Sequence, residues 1–232
     1  AGSHVQGTRK MRRVADILRS SVSPNFQCAW LFRICNLYKP LNIIELGTSL
    51  GISTLHLAEG SPRKSTIYTL EGAENIAKIA RRNFDWYFDT FKNIGLRHTK
   101  GYPSVSESAD DENSKIKIVV GNFDNTLPEI LEKIQKIDLA YIDGNHRYAP
   151  TMRYFEQCLA YTHPDTVLIF DDIYWSDEML KAWEEIKQHP RVRLSIDLFW
   201  FGLVFFRSEN VEKEHFKIMS AQWKPFSWGF FG

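Results

Sequence analysis

A chain of 232 residues is long enough to bury a substantial core and fits one α/β domain with at most a small appendage. Its 29 basic and 28 acidic residues leave a formal charge of +1, which excludes a global electrostatic pull toward nucleic acid or an anionic membrane. Cys28, Cys35 and Cys158 form no C-x-x-C pair and leave an odd thiol, no apolar run is long enough to span a bilayer, and no signal pattern opens the chain, so the expectation is a reduced, soluble, cytoplasmic protein.

Ala1 to His4 read as a cloning remnant. Met11, Val14, Ile17 and Leu18 recur at helical spacing between Thr8 and Ser20, which predicts an amphipathic helix whose Arg9, Lys10, Arg12 and Arg13 form a solvated face. A second helix is predicted from Phe26 to Tyr38, ended by Pro40. Residues 1–40 are thus expected to form a helical cap over the sheet or the site.

Ile43 to Ser53 is the stretch around which the chain is organised. An apolar run ends in Glu45, and Gly47, Thr48 and Gly51 lead into a helical pattern that includes Ser53, which predicts a strand, a tight turn and a helix N-terminus. Such a turn can hold a small cofactor against free backbone N–H groups. Ile67 to Leu70 repeats the grammar and ends in Glu71 and Gly72, followed by a helix from Ala73 to about Ile94.

Gly101 to Ser114 is polar and aperiodic, which predicts an exposed, disordered loop. Ile116 to Val120 is the third strand, running into Gly121, Asn122 and Phe123, with Asn125 or Thr126 expected to cap a helix carrying Pro128 in its first turn. Ile137 to Ile142 is the fourth strand, ending in Asp143, Gly144, Asn145 and His146, and Pro150 opens the next helix. Thr166 to Phe170 is the fifth, ending in Asp171 and Asp172, with Ser176 as N-cap of a helix that Pro190 closes. Val192–Leu198 and Leu203–Arg207 follow without an intervening helix and must pair antiparallel. The core is expected over residues 41–208. Residues 209–232 are expected to form an aromatic tail docking Trp223, Phe226, Trp228, Phe230 and Phe231 on the body or on a second subunit, which makes a homodimer one expectation.

Five βα units and a closing hairpin describe a Rossmann-like, doubly wound, mostly parallel seven-stranded α/β sheet with helices on both faces. In such a sheet ligands bind beyond the carboxyl ends of the strands, where Glu45, Glu71, Asp143, Asp171 and Asp172 all fall. A dinucleotide fingerprint starting at Gly47 would need glycine at Ser49 and Ile52, so pyrophosphate is disfavoured, and no Walker lysine follows Gly51. A phosphate-free adenosine ligand with a cationic end, S-adenosylmethionine, suits these acids better.

On these residues the chain resembles the class I S-adenosylmethionine-dependent methyltransferases, and among them the catechol and caffeoyl-coenzyme A type O-methyltransferases, from about Ile43 to Arg207. The resemblance implies that Glu45, Gly47, Thr48, Gly51 and Ser53 surround the methionine end of the cofactor. It implies further that Glu71, beside Gly72, holds the ribose hydroxyls, that Asn122 and Phe123 flank adenine, and that Asp143 lines the site. Relatives of the catechol type bind a divalent cation through an Asp after strand four and an Asp-Asn pair after strand five. Here Asp143, Asp171 and Asp172 stand at those positions, so Mg²⁺ or Ca²⁺ is an expected ligand, the alternative being that these acids serve backbone and cofactor alone. His146 stands where those relatives carry a lysine base and is the candidate general base with Asp143.

Tyr148, Tyr174 and Trp175 follow the same strand ends and could wall an acceptor pocket. With no Asn-Pro-Pro-Tyr-like segment after strand four, the acceptor atom is expected to be the oxygen of a small-molecule hydroxyl. Two other readings remain open at this point: a non-catalytic S-adenosylmethionine- or nucleoside-binding module, and a nicotinamide-dependent oxidoreductase.

Overall fold

In the computed structural model, which describes residues 25–93, 105–106, 114–209 and 211–218, the apolar runs become strands and the periodic stretches between them become helices. In chain order these are α1 (Asn25–Tyr38), β1 (Asn42–Leu46), α2 (Ile52–Gly60), β2 (Thr66–Glu71), α3 (Glu74–Asn93), β3 (Val105–Ser106), β4 (Ile116–Val120), α4 (Phe123–Ile134), β5 (Ile137–Ile142), α5 (Tyr148–Leu159), β6 (Thr162–Asp171), α6 (Asp177–Gln188), β7 (Leu194–Asp197), β8 (Phe201–Phe205) and β9 (Glu214–Lys217).

The strands form one sheet in the order β3-β4-β2-β1-β5-β6-β8-β7-β9. From β3 to β6 every pairing is parallel, and β8 is antiparallel to both β6 and β7. The chain leaves β1 toward β2 and later returns on its other side as β5, so the winding reverses between β1 and β5, the place where such sheets open a ligand crevice.

The sheet has nine strands among the described residues, not seven. Val105–Ser106 adds a parallel edge beside β4, within the stretch expected to be an exposed loop, and Glu214–Lys217 pairs in parallel with β7, within the stretch expected to be a tail. Both are too short for hydrophobic alternation to signal them, and all four residues of β9 are exposed. The expected Thr8–Ser20 helix, the rest of the loop before Ser114 and the aromatic tail lie outside the described residues.

Strand parity sorts the core into two layers. Ile44, Leu46, Tyr68, Leu70, Ala140 and Ile142 face α4, α5 and α6, contacting Leu127, Ile130, Tyr154, Phe155 and Trp183. Ile43, Ile67, Leu139, Tyr141 and Ile169 face α1, α2 and α3, contacting Leu31, Leu57, Ala80 and Phe84. Three helices therefore cover each face. On the second face α1 lies against the end of α2, where a Cβ on Gly60 would stand 2.4 Å from the Phe32 carbonyl oxygen. No described helix is long and apolar enough to cross a membrane.

One helix cap departs from the sequence reading. Asn122, not Asn125 or Thr126, caps α4: its side-chain oxygen accepts from the Asp124 N–H at 3.0 Å, and Thr126 instead turns its hydroxyl back to the Asn122 carbonyl at 3.1 Å. Pro128 consequently lies inside the helix rather than in its first turn. Ser176 caps α6 as expected, accepting from the Met179 N–H.

The far end of α2 is closed by a buried cation. Lys115, 8% exposed, donates from Nζ to the carbonyls of Ala58 at 2.6 Å, Pro62 at 2.9 Å and Ser61 at 3.2 Å, which satisfies helix-end acceptors and places positive charge at the negative pole of the dipole. Lys115→Met is expected to lower unfolding free energy by about 2 kcal/mol, read from the urea midpoint at unchanged slope. An unshifted midpoint would show that the cap contributes nothing.

Candidate active site

The turn after β1 is shaped by how closely it approaches its neighbours. Gly47 and Thr48 both donate their N–H to the Leu70 carbonyl, at 3.0 and 3.1 Å, which locks the turn to the end of β2. Gly47 has φ +102°, and a Cβ there would stand 2.0 Å from the Asp143 carbonyl oxygen. Gly51 has φ +82°, and a Cβ there would stand 2.2 Å from the Phe84 ring. Only glycine fits either position. Gly51 also caps α2 without a side-chain hydrogen bond.

Glu45 lies on the face covered by α1, α2 and α3, because Ile44 and Leu46 take the other parity. It is fully buried, in register with Thr69 on one side and Tyr141 on the other. Its Oε1 accepts from Ser53 Oγ at 2.6 Å, and its Oε2 accepts from Thr54 Oγ1 at 2.5 Å and Thr69 Oγ1 at 2.7 Å. Thr48 adds a hydroxyl 2.6 Å from Thr69. Burial pushes the Glu45 carboxyl up to about 7, against these three hydroxyl donors and with repulsion from Asp143 adding to the rise.

Asp143 and Asp171 extend the row. Buried Tyr141 places its hydroxyl 3.4 Å from Asp143 Oδ2 and also hydrogen-bonds Asp171. Asp171 is 5% exposed, and its Oδ1 is buried with no hydrogen-bond partner. Burial first, then repulsion from Asp143 and Asp172, hold its carboxyl well above the usual range. Asp172, at φ +52°, is likewise raised by burial, with His146 offsetting and Asp143 adding. From α1 the Cys28 thiol sits close enough to feel Glu45, Asp171 and Asp143, and burial with that negative field pushes it up to about 11. His146 Nε2 stands 3.3 Å from Asp143 Oδ1, and this hydrogen bond raises the imidazole, against its partial burial.

The second strand end supplies a different acid. Glu71 Oε2 accepts from the Ser49 N–H and Oε1 from the Ala73 N–H, both at 2.9 Å, so one carboxylate braces the turns after β1 and β2 and each oxygen retains a lone pair. Gly72 lies beside it, with Gly121 opposite: the Gly121 N–H donates to the Glu71 carbonyl at 2.9 Å. Phe123 lies over Gly144, where a Cβ would meet its ring at 2.7 Å, and stands edge-on to Tyr154. Asn122 spends its side-chain oxygen on the α4 cap. Of the aromatic residues expected around an acceptor, Tyr174 and exposed Trp175 remain at this edge, whereas Tyr148 turns onto α6 and donates to Glu185 at 2.6 Å.

Among the described residues no three His, Cys, Asp or Glu side chains are grouped to hold a metal ion. Asp143 lies near enough to Asp171 and Asp172 to add to the rise of both, but the three do not converge as ligands, and Tyr141 and His146 hydrogen-bond Asp143 instead. The donor chemistry suits a hard cation, and the arrangement does not fit one.

A glycine turn at the switch point of a doubly wound sheet, with buried Glu45 and Asp171 and half-buried Asp143 in a row beside it, defines the Rossmann-like class of nucleoside-cofactor proteins. The profile of the family described as a methyltransferase domain matches residues 44–173, from β1 to just past the aspartate pair at the end of β6, and the chain belongs to that family. A catechol O-methyltransferase from Niastella koreensis is 28% identical over 174 residues, covering 75% of this chain, and the chain spans 66% of that relative's length. Among solved structures, an O-methyltransferase involved in tomaymycin synthesis from Streptomyces achromogenes, in complex with SAM, superposes with a TM-score of 0.60 at 18% identity, covering 84% of this chain and 88% of that one. The O-methyltransferase from Bacillus cereus in complex with SAH gives 0.58 at 20% identity over 85% and 93%. At these identities the structures share the fold.

Sequence reasoning missed Thr54, Thr69 and Tyr141, the hydroxyls that hold the acids. Parity was the available signal: Thr69 and Tyr141 are polar or hydroxylated residues at inward positions of otherwise apolar strands.

A pH dependence follows from Glu45. Between 4.5 and about 7 the unfolded chain has released a proton that folded Glu45 still holds, so ligand-free stability falls as pH rises through that window, by up to about 3 kcal/mol. Raised Asp171 and Asp172 act in the same sense, and His215, which burial lowers, opposes them; all three are common to wild type and variant. Glu45→Gln should therefore flatten the difference in denaturation free energy between about pH 5 and about pH 8. An equal slope in both proteins would contradict the burial argument.

Proposed function

We propose that the chain is an S-adenosylmethionine-dependent methyltransferase whose acceptor is a hydroxyl on a small molecule, as the catechol O-methyltransferase relative suggests. The observation that carries this reading is the row Glu45, Asp143 and Asp171 on one face of the sheet at the strand ends, flanked by Glu71 and Asp172. The charges that act on Asp171 are those of two further acids, and one of its oxygens is buried without a partner. Such a row calls for a cation, and the family membership points to which one.

S-adenosylmethionine supplies a methyl group activated on a sulfonium, together with an ammonium. In this reading Glu45, Gly47, Thr48, Gly51 and Ser53 form the floor under the methionine end, and Asp143 and Asp171 face its positive charge. Glu71 offers its two free lone pairs to a ribose diol, while Gly72 gives backbone room beside it. Asn122 and Phe123 border the adenine, with Phe123 fixed by its contact with Gly144. Asp143 holds His146 through Nε2, so the other ring nitrogen is left to accept a proton from the acceptor hydroxyl as the methyl group transfers. No step is assigned to Mg²⁺ or Ca²⁺.

Incubating the protein with methyl-labelled S-adenosylmethionine and catechol tests this directly: label in the methoxy product is expected, with S-adenosylhomocysteine but not NAD binding in calorimetry. Binding without transfer to any hydroxyl would leave only the non-catalytic module. His146→Ala should lower kcat by roughly 10²-fold or more at unchanged S-adenosylhomocysteine affinity. A variant as active as wild type removes the base role. Turnover should persist in excess EDTA, and its abolition and recovery with Mg²⁺ would show that the three aspartates rearrange around a metal.

A further inference from the structure

The β7–β8 turn carries features that the cofactor reading leaves unexplained. β8 opens at Phe201, opposite Asp171, so the turn of Leu198, Phe199 and Trp200 lies at the same sheet edge as the acids. Phe199 has φ +73°, a backbone conformation strained for a large L residue. Its ring is not there to fill the core, because the residue is 39% exposed. Instead it stacks on Tyr174 at 5.5 Å and 28°, stands edge-on to Trp200 at 5.0 Å, and Trp200 in turn meets Phe26 of α1 at 5.7 Å. Tyr174 is two residues past Asp172, so this run of rings borders the proposed site for methyl transfer.

What holds the strained turn is a buried charge. Asp197, 1% exposed at the end of β7, accepts from the Phe199 N–H at 2.7 Å and from the Tyr174 hydroxyl. Lys217 of β9 donates from Nζ to the Tyr174 oxygen at 2.8 Å, stands 3.6 Å from Asp197 and lies over the Tyr174 ring at 4.7 Å. The carboxylate thus fixes both members of the stacked pair, one by its backbone and one by its phenol, and the lysine supplies the counter-charge. A cap on an ordinary hairpin needs neither an exposed ring nor a cation brought in from an added edge strand.

We propose that Asp197 and Lys217 are positioning residues that hold the Tyr174–Phe199 ring pair as the wall against which the acceptor's ring packs, so that β9 sets acceptor affinity without touching the chemistry. The inference rests on the methyltransferase reading above and deepens its acceptor half. An acceptor with a planar aromatic ring gains a rigid stacking face there, and a flexible aliphatic alcohol does not.

The test is steady-state kinetics of the full chain with S-adenosylmethionine and catechol, alongside calorimetric titration of S-adenosylhomocysteine. Lys217→Met and Tyr174→Phe, the latter keeping the ring but deleting its anchor, are expected to raise the KM for catechol roughly tenfold while kcat stays within about twofold and S-adenosylhomocysteine affinity is unchanged. Lys217→Arg, which keeps the cation, should restore KM. Wild-type KM in both Lys217→Met and Tyr174→Phe overturns the inference, and so does a parallel loss of kcat and cofactor affinity, the mark of general destabilisation. If the wild-type protein binds S-adenosylhomocysteine yet methylates neither catechol nor any other planar aromatic alcohol, the wall is overturned. If it binds no S-adenosylhomocysteine, the functional reading itself is what has failed.

Discussion

Buried carboxylate charge at one edge of the sheet is the constraint on which the rest of the site depends. A carboxylate removed from water costs several kcal/mol unless it is neutralised or held by donors. Glu45 is held by three hydroxyls and still rises to about 7, and Asp171 keeps one oxygen without a partner. Protons stabilise these acids in the ligand-free protein. A cation arriving at the edge would take the place of those protons, which is why the arrangement reads as a receptor for positive charge rather than as a set of helix caps.

The elements around the row follow from that constraint. Gly47 lets the β1 turn close onto the Asp143 carbonyl, and Gly51 lets α2 start against Phe84, so the hydroxyls of Ser53 and Thr54 arrive directly above Glu45. Cys28 brings α1 over the acids with a thiol that burial first, and their field second, keep protonated. Glu71 does separate work at the next strand end, where its oxygens brace two turns. At the far side of the site a second buried acid, Asp197, repeats the logic with its own built-in cation, Lys217. Asp197 has its counter-charge within the fold and is structural, whereas buried Glu45 and Asp171 have no cationic side chain acting on them among the described residues and are available to a ligand.

Much of this was legible in the sequence. The five parallel strands, the hairpin and the helices between them could be read from apolar runs and their spacing, and the acids were found because each interrupts or ends a strand. Their shared face was also legible in principle, since Ile43, Glu45, Ile67, Thr69, Leu139 and Tyr141 alternate with residues of the opposite layer. Less could be seen where the signal is tertiary. β3 and β9 are short edges stabilised by a neighbour, the role of Asn122 as a cap depends on its backbone angle, and the bond from Tyr148 to Glu185 joins two helices distant in sequence. Asp197 hid for a similar reason: it is an acid at the buried parity of a strand with only two strongly buried positions, and its partners come from Tyr174 and Lys217.

The claim that the acid row receives the cofactor's positive charge can be tested without knowing the acceptor. Titration calorimetry with S-adenosylmethionine at about pH 6.5, in buffers of different ionisation enthalpy, reports the protons exchanged on binding. Release of protons is expected, diminished in Glu45→Gln, because a cation near the row lowers the carboxyls that burial has raised. Binding with no proton release, or no binding at all, would contradict the account.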